Sequence, residues 1–144
     1  MKATSLFSPS NLDTLARACA MFSGVVHLGL VGRHFEEAPV TGILFAIAGL
    51  GQLVAVFVGY RVKVRGWLPL QLAFTGGMVA LWAATRFWAV PLIHGSPEPI
   101  DALGLETKAS ELVLMACLVG LWVTSRRPAS GRPPPTTISR QQTH

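Results

Sequence analysis

The chain has 144 residues, 51% of them hydrophobic and only 13% charged, with a mean hydropathy of +0.48. Soluble domains are about 25% charged, so a water-soluble fold is excluded, and so is disorder, because this much apolar surface must be buried. The net charge of +5 is no sign of a nucleic-acid partner, since the basic residues sit between apolar runs and form no folded face.

Four apolar segments follow one another. Leu12–Gly32, Val40–Tyr60 and Trp67–Thr85 are each long enough, at about 20 residues and 1.5 Å per residue, to cross a bilayer core. The first is too long for a signal-peptide h-region and no small-residue cleavage site follows it, so it is expected to be retained. The fourth, Leu112–Ser125, is shorter and is preceded by a helix-compatible stretch from Ile100 that carries Glu106, Lys108 and Glu111. The connections, of roughly 7, 6 and 12 residues, make consecutive helices antiparallel neighbours. The expected fold is all-α and polytopic: four transmembrane helices over residues 12–125, preceded by a cytoplasmic segment at 1–11. A disordered, basic, Pro-rich cytoplasmic tail at 126–144 completes it, held near anionic lipid by its arginines.

The charges set the orientation. Arg61, Lys63 and Arg65 fill the second connection, Arg126, Arg127, Arg132 and Arg140 follow the fourth helix, and Lys2 and Arg17 flank the first. Basic residues mark the cytoplasmic side, so both termini are expected there, in a plasma membrane. The other side holds Glu36, Glu37, Glu98, Asp101, Glu106 and Glu111 with His34 and His94. Tyr60 and Trp67 at the inner boundary, and Phe87 and Trp88 at the outer one, suit headgroup depth.

Cys19 and Cys117 are isolated within apolar runs and support neither a disulfide scaffold nor a thiolate zinc site. Small residues recur every fourth position at Gly51, Ala55 and Gly59 and at Gly76, Ala80 and Ala84, so these stripes are expected to form the internal seams of the bundle, with dimerisation as the alternative.

The polar residues inside the apolar runs carry what chemistry there is. Counted from the outer boundary, His27, Arg86 and Glu111 lie at similar depth, with Gln52 nearer the midplane. Ions in lipid need partners, so Arg86 is expected to pair with Glu111, although Lys108 sits at i, i+3 from the same carboxylate. His34 follows His27 by two turns and shares its stripe if the helix runs that far. His27, His34, Glu37 and Glu98 then make a candidate ligand set for a transition metal, with Arg86, Gln52 and Glu111 beside it. A buried polar clamp and a proton or ion path are the competing readings. Paired haem histidines, GxSxG, a P-loop and a Ser-His-Asp arrangement are all missing from the sequence, which leaves no catalytic motif.

These residues carry a resemblance. His27, His34-Phe35-x-Glu37, Gly42, Phe45 and Gln52 resemble the pattern HxxEWxxxGxxFxxxxxxQ of an uncharacterised family of small four-helix membrane proteins in actinobacteria. Arg86 ahead of Pro91, and Glu98-Pro99 followed by Glu111, resemble that family's RTxGLP and EP(x)12E segments, so that residues 20–115 are covered. Ala38 stands where the pattern has an aromatic, Phe87 and Trp88 where it has a small polar pair, and Gly104 where it has an aspartate, so a site using that aspartate is incomplete here. The resemblance implies the bundle and the same polar residues, and it brings no activity with it. Two functions are therefore expected from different classes: binding of a transition metal or small ligand by the outer cluster, or a non-catalytic subunit, homo-oligomeric or within a larger membrane complex.

Overall fold

The computed structural model describes residues 8–61, 66–90, 93 and 97–126. Four helices follow in chain order: α1 (Pro9–Glu37), α2 (Pro39–Arg61), α3 (Trp67–Phe87) and α4 (Ala102–Ser125). All four are long and apolar enough to cross a membrane. The expectations for residues 1–7, for Lys63, Arg65 and His94, for the side chains of Tyr60 and Arg61, and for the tail from Arg127 onward lie outside the described residues.

Local chemistry explains the boundaries. Ser8 accepts the Asn11 N–H on its hydroxyl at 3.3 Å and Pro9 has no N–H to leave unpaired, so α1 starts within the segment expected to precede it. It also runs past Gly32 to Glu37, which corrects the expected seven-residue connection. Nothing from Arg33 to Glu37 breaks a helix, and the first breaker is Pro39, whose ring drives the preceding Ala38 into extended backbone at φ −156° and ψ 117°. Ala38 is thus the whole link, its N–H still donating to the His34 carbonyl at 2.9 Å. At α4, Asp101 caps the first turn by accepting the Gly104 N–H at 2.7 Å.

A link of one residue forces α1 and α2 together, and glycine makes the approach possible. A Cβ on Gly49 would lie 2.6 Å from Leu28 Cγ and 2.9 Å from the Gly24 carbonyl, while one on Gly42 would meet Phe35 at 2.6 Å. In the stripe on α2, Gly51 faces Phe74, Ala55 is buried and Gly59 faces the Trp67 indole, as a seam requires. The stripe on α3 is no close-packed seam: the nearest atom to a Cβ on Gly76 would be Met115 Cε at 3.5 Å, and Ala80 is exposed.

Helix α1 packs closely on α2 and α4, α3 leans on α4, and α2 and α3 touch least. One half of the bundle has an apolar core of Ala16, Ala20, Val56, Leu114, Cys117 and Leu118. The interior above it is polar, with Ser23, Gln52, Thr75 and Glu111 fully buried, whereas Ile43, Ile47, Leu50, Val54 and Phe57 are more than half exposed. Burial is inverted relative to a protein in water, as expected where the surrounding solvent is hydrocarbon and polar groups find partners only inside.

Candidate functional site

The polar interior begins with Glu111, which has no exposed surface. One carboxylate oxygen accepts from Ser23 Oγ on α1 at 2.7 Å and the other from Lys108 Nζ, one turn back on α4, at 2.6 Å. His27 completes the layer. Its Nδ1 lies 2.8 Å from the Ser23 carbonyl, which only accepts, so Nδ1 donates there, and Nε2 lies 3.8 Å from Glu111 Oε1.

Arg86 does not pair with Glu111 and is bound instead to Glu98, which corrects the sequence expectation. The reason lies in the connection from α3 to α4. The Glu98 N–H donates to the Thr85 carbonyl at 3.0 Å, folding the chain back over the end of α3 and bringing its carboxylate onto the neighbouring guanidinium. Glu111 is meanwhile satisfied by the lysine of its own helix face. The guanidinium also lies 5.2 Å from the centre of the Trp82 ring, one turn away.

Because α1 continues to Glu37, His27 and His34 do share a stripe, and both imidazoles lie against Phe45 of α2, with ring centres 5.2 and 4.0 Å apart. His34 Nδ1 is 3.0 Å from Glu37 Oε2, and Glu37 also accepts from Arg33 at 3.2 Å. Thr41 at the start of α2 donates to the Ile93 carbonyl at 3.0 Å, which draws the α3–α4 connection across the same end.

Between these walls, where α2 and α3 separate, lies a cavity of about 720 Å³. Its polar part includes His27, Arg33, His34, Glu37, Arg86, Glu98, Asp101 and Lys108, and its apolar part Leu44, Phe45, Ala48, Phe74, Met78 and Trp82. Gln52 stands outside the lining, where its amide donates to Thr75 Oγ1 at 3.1 Å and contacts the Met78 sulfur. Size and composition match sites that hold small organic molecules, which are mostly apolar with a few convergent polar groups. Two hydrogen-bond donors of cavity residues, Trp82 Nε1 and Arg86 Nε, are buried without a partner, as is the acceptor Gln52 Oε1. Buried polar groups are rarely left unpaired.

The structure thus brings His27, His34, Glu37, Arg86 and Glu98 to one cavity, places Glu111 behind His27 and Lys108, and sets Gln52 beneath it. It does not converge the carboxylates and imidazoles on one point: His27 turns to Ser23, His34 to Glu37 and Glu98 to Arg86. Among the described residues, no three His, Cys, Asp or Glu side chains gather as metal ligands. Sequence reasoning missed Ser23, Phe45 as a ring platform, and Trp82. A serine four residues before an intramembrane histidine is the one signal that pointed to the first, since that spacing places both on one helix face. No family model, curated protein or solved structure matches this chain.

Proposed function

We propose that the chain is a ligand-binding protein of the plasma membrane, with both termini in the cytoplasm and its cavity in the extracytoplasmic half. The observation that carries this reading is the 720 Å³ cavity whose lining combines an apolar wall with Trp82 and Arg86, residues that each keep a buried donor without a partner. A purely structural clamp needs no empty space beside it, and an assembly surface needs its polar groups on the outside.

An organic ligand fits better than a metal ion. The cations that line the cavity are already matched, Arg33 by Glu37, Arg86 by Glu98 and Lys108 by Glu111. What remains is the Asp101 carboxylate, which caps α4 through the Gly104 N–H, and hydrogen-bonding capacity with no uncompensated cation. The orientation follows the basic residues at one end, Arg17 and Arg126 among them, and the acidic residues at the other. The patterns shared with the actinobacterial four-helix proteins select the same polar residues and support the same site.

Native mass spectrometry of the protein released from mild detergent, combined with elemental analysis, tests the proposal. An organic adduct that is retained by the native chain and lost in Trp82→Ala supports it. Stoichiometric metal lost in His27→Ala would replace it with a metal site. A protein free of both that copurifies with stoichiometric membrane subunits would replace it with an assembly role.

A further inference from the structure

The charges of the cavity do not cancel, and the remainder is negative. Arg33, Arg86 and Lys108 line it, and each is already held by one carboxylate, Glu37, Glu98 and Glu111 in turn. Asp101 also lines it but forms no ion pair among the described residues; its carboxylate accepts the Gly104 N–H at 2.7 Å, which fills one of about four acceptor positions. Glu36 and Glu106, exposed at the same end, have no cationic partner among the described residues either. This surplus draws cations toward the end of the bundle where the cavity lies and repels anions.

Two imidazoles add acceptors to the same cavity. Ser23 meets Glu111 while Leu12 meets the Gly120 position, so α1 and α4 run antiparallel, and Asp101, ten residues before Glu111, stands level with His34, eleven after Ser23. His34 is bonded through Nδ1 to Glu37, and His27, two turns deeper with 9% of its side chain exposed, through Nδ1 to the Ser23 carbonyl. Neither Nε2 makes a hydrogen bond among the described residues, Glu111 Oε1 lying 3.8 Å from that of His27. A ring that donates from Nδ1 offers a lone pair at Nε2 when it is unprotonated, so these positions, like the Asp101 carboxylate, accept from an N–H donor.

Leu44, Phe45, Ala48, Phe74 and Met78 make much of the remaining wall apolar, and such a wall gives a bare ion nothing in exchange for its water. An apolar body carrying a positive head satisfies both parts of the lining. We infer that the occupant is an organic cation, a protonated amine on an apolar body, whose head lies at the level of Asp101 and His34 and whose body extends along the apolar wall, with His27 as a further acceptor below. This rests on the ligand-binding reading above and adds to it the sign of the ligand's charge.

The test uses the full chain in phosphatidylcholine nanodiscs and three probes that share one body and differ in the head: phenylbutylamine, phenylbutanol and phenylbutyrate. Each is titrated calorimetrically, and the heat of empty nanodiscs is subtracted to remove partition into lipid. The amine is expected to saturate with a Kd about tenfold or more below that of the alcohol, and the acid to give no saturable heat. Asp101→Asn removes the charge and keeps the helix cap, since asparagine serves as well there, and is expected to bring the amine close to the alcohol while leaving the alcohol unchanged. Circular dichroism checks that the variant is folded, and the comparison of probes on the native chain stands without it. Equal binding of amine and alcohol, or tighter binding of the acid, overturns the inference while the ligand-binding reading stands. If no probe saturates, the organic adduct of the native protein decides: a cationic one supports the inference, an acidic or uncharged one overturns it, and the absence of any adduct sinks both readings.

Discussion

Ser23 donates its hydroxyl to Glu111 at 2.7 Å, tying α1 to α4 at a level where both side chains are fully shielded. Because Lys108 holds the other carboxylate oxygen, the site is a compensated ion pair with a hydrogen bond across the bundle, and its energetics follow from that. Removing one ion of such a pair leaves the other uncompensated and costs about 3–5 kcal/mol, while replacing both with apolar groups is often near neutral.

Glu111→Ala is therefore expected to lower the thermal unfolding midpoint in detergent sharply, and Lys108→Met/Glu111→Leu to recover most of the loss. Ser23→Ala removes one hydrogen bond to a charged group, about 1.5–3 kcal/mol, and should fall between them. A double variant as unstable as Glu111→Ala would show that the layer is not an ion pair.

The sequence made the helices legible because lipid permits so few alternatives. A run such as Val40–Tyr60 has to be helical to satisfy its backbone, and Pro39 marks where α2 begins. The Lys108–Glu111 contact was legible as well, being an i, i+3 spacing on one helix face. The Arg86–Glu98 pair was not. It depends on the α3–α4 connection folding back through the bond between Glu98 N–H and the Thr85 carbonyl, a tertiary event with no periodic signature. The cavity was hidden for a similar reason. It arises from the separation of α2 from α3, which follows from how Gly24, Gly42 and Gly49 draw α2 onto α1 instead.

That close approach of α1 and α2 gives a second prediction. Gly49→Val inserts carbon where Leu28 Cγ and the Gly24 carbonyl already lie within 3 Å of the Cβ position, so the helices must move apart. Overpacking of this kind costs about 1–3 kcal/mol. Gly29→Val, on the same helix pair but with nothing within 4 Å of its Cβ, should leave the unfolding midpoint nearly unchanged. Equal destabilisation by both would show that the close approach at Gly49 is not its cause, since valine is the better helix former of the two residues.

The returning connection supplies a third. Glu98→Gln removes the counter-charge of Arg86, whose side chain is 8% exposed, and loosens the segment that covers this end of the cavity. The backbone amides of Glu98, Ile100 and Asp101 are expected to exchange faster with deuterated solvent in Glu98→Gln, while those of α1 and α2 keep their rates. Exchange that rises uniformly through the chain would indicate general destabilisation and not the release of this segment.

Orientation is tested by two exposed positions at opposite ends of the bundle, Pro97 before α4 and Ser125 at its end. Cys19 and Cys117 are first replaced by alanine, a mild change for two unpaired side chains among apolar neighbours. In intact cells a membrane-impermeant maleimide is expected to label Pro97→Cys, since the acidic end carries none of the basic excess that holds a connection in the cytoplasm. Ser125→Cys, beside Arg126 and Arg127, should label only after lysis. The opposite pattern would turn the bundle over and place the cavity on the cytoplasmic side.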